Sequence, residues 1–109
     1  MGAVQEAVAR SSDAADLHGT VPALMLEAQT AIGKLAATVS SATEHGRRPF
    51  RPTPEWASAL GEAAYSLYLL ADQSGVELDE VVHLTARLVE ARGRQAHAAE
   101  DNTWLFDTK

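Results

Sequence analysis

The chain has no cysteine, which removes disulfides, zinc–thiolate sites and thiol catalysis together. Lysine is nearly absent, at Lys34 and Lys109 only, and the formal net charge is −6. A general nucleic-acid binder gains affinity by neutralising phosphates with Lys and Arg, so that class is excluded. The same deficit disfavours docking on an anionic membrane surface. No apolar run approaches the ~20 residues of a membrane span. The first residues, MGAVQEAVARSSDAAD, lack a basic region followed by an apolar one, so no signal peptide is expected. Glu6 and Ala7 spoil the pattern of an N-myristoylation site. Nothing reads G-x-x-x-x-G-K, so there is no phosphate loop of that type. Together with the missing cysteines, these absences lead to an expected cytoplasmic location.

What remains is helical. No alternating polar–apolar run suggests a strand, and apolar residues recur at intervals of three and four. At 109 residues the chain is expected to form one domain over 1–109, with a core about 21–95. A monomer of this size buries only about 60–70% of its unfolded surface. Much of the apolar content is alanine, which buries little area per residue, so a homo-oligomer (a dimer or a tetramer) is expected.

Ala3 to Ala9 is a short helix with a small apolar face of Val4, Ala7 and Val8. The second helix starts after Thr20, whose hydroxyl caps free amides, with Pro22 tolerated in the first turn. Its stripe is Leu24, Ala28, Ala31, Ile32, Leu35 and Val39, and Gly46 supplies a stop. Gly33, mid-helix at a cost of roughly 1 kcal/mol against alanine, is read as a point where another helix comes close. A proline- and arginine-rich loop, RRPFRPTPE, leads to a sharp start: Thr53 as cap, Pro54 first, Glu55 favouring the positive helix end. Trp56, Leu60, Ala63, Ala64, Leu67, Leu70 and Ala71 give the third helix a broad apolar face, widened by Tyr65, Tyr68 and Leu69. That girth predicts a helix central to a bundle or at a subunit interface. Gly75 stops it. The fourth helix begins near Glu77 with the stripe Leu78, Val81, Val82, Thr85, Leu88 and Val89, and helicity is expected to decay after Gly93. The tail, residues 96–109 with Trp104, Leu105 and Phe106, is expected to dock on the bundle or on a partner. The fold class is therefore all-α: a small bundle of three main helices plus a short N-terminal one.

The segment ALGEAAYSLYLLADQSGVELDEVV, with AIGKLAATV upstream and RLVEARGR downstream, resembles the MazG-like all-α nucleotide pyrophosphohydrolases over roughly residues 21–95. The resemblance implies a helical bundle completed by oligomerisation. It also implies Mg²⁺ held by acidic pairs on adjacent helices, bridging phosphate oxygens of a nucleotide and activating water. Carried over residue by residue, most of that set is missing. The first acidic pair falls at Thr30 or Ala31 and at Lys34. In the second, Glu62 stands where the family has Asp, but Ser58 and Ala59 stand where its partner belongs, and Ala91 replaces a late Asn. Glu27 lies about one turn before the expected position and joins Glu62 only if the helices are offset from this alignment.

The candidate metal ligands are thus Glu27 and Glu62, with no catalytic residue assigned. Glu62, beside Ala63 in an apolar helix, also fits a boundary carboxylate paired with an arginine. Arg47, Arg48 and Arg51, flanking Phe50, are the candidate phosphate contacts, with a solvated loop paired to the protein's own acids as the alternative. His18, His45, His83 and His97 lack ligand spacing and read as surface residues; no serine finds a triad. Tyr65, Tyr68, Trp56 and Trp104 line either a base pocket or the core. Three functions remain open: a nucleotide binder or regulatory partner with a degraded Mg²⁺ site, an active pyrophosphohydrolase, and a helical protein-interaction module.

Overall fold

The computed structural model describes residues 2–107, with side chains through residue 100. Four helices follow one another: α1 (Ala3–Ala15), α2 (Val21–Ala42), α3 (Pro54–Gln73) and α4 (Leu78–Asp107). No strand occurs among the described residues. The chain divides into two compact units, Met1–Glu77 carrying α1 to α3, and Leu78–Lys109 carrying α4.

The helix boundaries in the first unit follow from local chemistry. The Thr20 hydroxyl accepts from the Ala23 amide at 3.3 Å, and that of Thr53 accepts from the Trp56 amide at 3.1 Å. Each satisfies one amide that the first helical turn leaves without a partner. Three helices share one way of ending. The Leu17, His45 and Val76 amides donate to the carbonyls of Ser12, Ser40 and Ala71 at 2.8–2.9 Å, five residues back. This wrap needs a left-handed residue, supplied by Asp16 (φ 54°), Glu44 (φ 49°) and Gly75 (φ 72°). Only Gly75 takes that conformation without steric cost.

Packing centres on α3, which contacts both α1 and α2. Its wide apolar girth thus finds two neighbours within the unit. Val8 of α1, Leu24 of α2 and Leu69 of α3 form the buried cluster, with Tyr65, Tyr68 and Leu70 packed against it. The other buried apolar residues among those described are all alanines: Ala28 and Ala31 on α2, Ala59, Ala63 and Ala71 on α3. Small side chains allow two helix backbones to approach closely where they meet.

Polar ties fasten α1. Gln5 Nε2 donates to the Val76 carbonyl at 2.8 Å, and Ser11 Oγ meets the Tyr65 hydroxyl at 2.8 Å. His18 Nε2 lies 2.7 Å from an Asp13 carboxylate oxygen, while its Nδ1 meets Gln73 Nε2 at 2.9 Å. Asp13 is acceptor only, so Nε2 carries the proton and Nδ1 accepts from the amide.

Three expectations are corrected. Gly33 faces open space: a Cβ built there meets nothing within 4 Å, so the residue marks no close approach. Ile32 is 48% exposed, leaving Leu24, Ala28 and Ala31 as the buried part of the α2 stripe. Helicity does not decay after Gly93 but runs to Asp107. The run Ala96–Glu100 is rich in strong helix formers, and Arg94 supports the turn through a 2.9 Å pair with Glu90, four residues back. The side chains of Trp104, Leu105 and Phe106, expected to dock, lie outside the described residues. Taken by itself, α4 is about 45 Å long at 1.5 Å per residue. Its stripe residues Val81, Val82, Leu88 and Val89 are exposed. Among the described residues no helix is long and apolar enough to cross a membrane.

Candidate functional site

On α2, residues 27, 30, 31 and 34 recur at three and four and share one face; residues 62, 65 and 66 do the same on α3. The two faces border a groove of about 520 Å³ lined by Glu27, Thr30, Lys34, Glu62, Tyr65 and Ser66, with Leu26 and Ala31. The structure thus brings together the two candidate metal ligands, which come from different helices. Lys34, at the position where the resemblance calls for an acid, lines the same groove.

Both glutamates are exposed. Among the described residues neither pairs with Lys34 or with an arginine within 4.0 Å. The alternative of a boundary carboxylate satisfied by an arginine therefore does not describe Glu62. Tyr65 lines the groove, and its hydroxyl meets Ser11 Oγ at 2.8 Å. That contact makes α1 part of the groove's support, which the α1 sequence alone does not announce.

The donor set is chemically suited to Mg²⁺, which takes hard oxygen ligands in octahedral geometry. It is numerically short. Two carboxylates leave about four of six positions to water or to a ligand's own oxygens. No group of three or more His, Asp or Glu side chains able to hold a metal occurs among the described residues. A resident ion is poorly served by this pair. An ion arriving already chelated by phosphates is better served, because the phosphates fill the remaining positions and Lys34 offsets their charge. Of the hydroxyls in the lining, that of Thr30 donates to the Leu26 carbonyl at 3.1 Å.

The arginine loop divides. Arg48 and Arg51 line a recess of about 410 Å³ with Ala42 and Pro49; Arg47 does not border it. Arg48 Nε pairs with Glu44 at 3.2 Å, so one arginine is partly used by the protein's own acid. Phe50 packs edge-on against Trp56, with ring centroids 5.1 Å apart and planes at 72°. Both rings are thereby engaged with each other. Of the remaining aromatics, Tyr68 packs on the core cluster.

Among the histidines, His45 Nδ1 meets Ser40 Oγ at 2.9 Å in the turn after α2, and His97 lies 3.8 Å from Glu100. His18 is exposed, as a surface residue should be, and it also ties the connection after α1 to the end of α3. The signal available in the sequence was the run of polar residues Ser11, Ser12 and Asp13, with Gln5, in a helix whose apolar residues are alanine and valine.

The chain matches no protein-family model, no curated protein and no solved structure.

Proposed function

We propose that the α2–α3 groove binds a nucleotide through its Mg²⁺-chelated phosphates, as a non-catalytic counterpart of the MazG-like pyrophosphohydrolases that the sequence resembles. The supporting observation is the convergence of Glu27 and Glu62, from separate helices, on one groove with Lys34. Glu27 and Glu62 would hold the cation from one side, the phosphates from the other, and Lys34 would take a phosphate oxygen. When bound, the ion supplies charge neutralisation between carboxylates and phosphates. Efficient hydrolysis is not part of the reading, because water activation in this fold class draws on a larger carboxylate set. The test is calorimetric titration of the four nucleoside triphosphates with and without Mg²⁺, alongside an assay for released pyrophosphate. Mg²⁺-dependent binding without turnover, lost in the Glu27→Gln/Glu62→Gln double variant, is expected. Binding indifferent to Mg²⁺ or to the double substitution would refute the reading. Pyrophosphate release abolished by Glu62→Gln would establish the enzyme instead.

A second reading rests on a different surface. Met25, Ile32, Leu60 and Leu67, on the two packed helices α2 and α3, are each more than 40% exposed. Such residues suit an interaction face, and a second copy of the chain is the occupant that the composition argument favours. Sedimentation velocity distinguishes the 11.6 kDa chain from its dimer or tetramer.

A further inference from the structure

The helix α4 carries an apolar stripe that nothing in its own unit covers. Residues 78, 81, 82, 85, 88 and 89 recur at three and four and share one face, which Leu84 borders. Val81, Val82, Leu84, Leu88 and Val89 are each 46–57% exposed. Among the described residues, the unit Leu78–Lys109 consists of this one helix, with no second element to shield them. A helix gains most of its stability from the packing of such a face, so the stripe calls for a covering partner.

The charge along α4 constrains what that partner is. Asp79 and Glu80 make its first turn acidic, whereas Arg87, Arg92 and Arg94 outweigh Glu90 farther on. Arg92 falls on the stripe itself, about one turn beyond Leu88. Its own helix offers it no acid three or four residues away, and it makes no ion pair within 4.0 Å among the described residues. A second α4 running antiparallel supplies what is missing. When the stretch Leu78–Val89 is laid on its own copy about a two-fold axis, the midpoint lies between His83 and Leu84. Glu80 of each copy then stands level with Arg87 of the other, and Arg92 comes within about 6 Å, along the axis, of the other copy's Asp79. Glu100 and Asp101 lie beyond the overlap. In a parallel pair Glu80 stands level with Glu80, and Arg92 meets Arg92 within the stripe, so like charges oppose each other at both levels. The helix is therefore complementary to itself in one direction only.

We infer that α4 is an interface with a second copy of this chain, paired antiparallel through the stripe from Leu78 to Val89. The inference is independent of the nucleotide groove between α2 and α3. The first test is sedimentation velocity of the full chain and of two variants, each altered at an exposed position. The parent sediments as a dimer or larger, Leu88→Glu loses the α4 pairing and sediments as a smaller species, and Leu67→Glu, on the α3 face, leaves at least the dimer. The second test keeps the stripe intact and so does not depend on how those variants fold. Ala96→Cys gives the cysteine-free chain a single site for a spin label. Residue 96 lies about 12 residues from the midpoint, so antiparallel pairing holds the two labels roughly 40 Å apart, at 1.5 Å per residue and ~10 Å between helix axes. Parallel pairing brings them to ~10 Å. A distance near 40 Å by pulsed electron resonance is expected. A chain that is monomeric at every concentration, an assembly indifferent to Leu88→Glu, or labels at ~10 Å overturns the inference.

Discussion

Leu69→Ala is the sharpest probe of what holds the first unit together. Leu69 is 5% exposed and meets Val8 and Leu24, so its side chain joins three helices at once. Removing it forfeits the transfer energy of the deleted carbons, about 2 kcal/mol, and leaves a cavity that rigid neighbours fill incompletely. Substitutions of this kind cost about 2–5 kcal/mol. A value near ~3 kcal/mol is expected here, since Tyr65 and Tyr68 border the site and relax part of the way. A chain of this length has roughly 5–15 kcal/mol of stability in total, so the loss removes a fifth or more of it. The melting temperature should fall by about 12 °C, at roughly 4 °C per kcal/mol. Urea unfolding followed by far-UV circular dichroism gives the comparison, with Leu26→Ala, at an exposed position, as a control expected within about 0.5 kcal/mol of the parent. A Leu69→Ala cost below about 1 kcal/mol, or one no larger than the control, would show that the three-helix cluster is not the stabilising core.

Two glycines should respond in opposite directions to alanine. Gly33→Ala is expected to stabilise by about 1 kcal/mol, because the helix gains propensity and the new methyl meets only open space. Gly75→Ala, at φ 72°, should cost about 1–2 kcal/mol; the same urea titrations read both. Thr53→Ala removes the acceptor of the Trp56 amide and should cost about 1 kcal/mol, with local fraying at the start of α3 visible as faster amide exchange at Trp56.

Helix starts and stops were legible because they depend on a few neighbouring residues. Thr53-Pro54 fixes the start of α3, and Gly75 ends it, through chemistry that needs no tertiary context. Which residues of a stripe are buried was less legible. Ile32 and Leu67 belong to the expected faces yet are exposed, while Ala59 goes unmarked and is buried. Periodicity gives a broad arc; the neighbouring helix covers only part of it. Gly33 misled for a related reason, since a mid-helix glycine has the same sequence signature whether a helix passes nearby or not. The continuation of α4 beyond Gly93 reflects summed propensity outweighing one poor helix former. For the candidate site, Glu27 and Glu62 were legible as individual acids. Their convergence on one groove depends on how α2 packs against α3, which no local signal encodes.

The alanine seam between α2 and α3 has a lasting consequence for how such a surface can change over generations. Because the buried alanines Ala28, Ala31, Ala59 and Ala63 occupy the seam, the larger side chains lining the groove beside it stand outside the core. Exposed residues such as Thr30 or Ser58 can then be exchanged with little effect on the scaffold. Surface chemistry can drift by such exchanges while the two rods stay where they are.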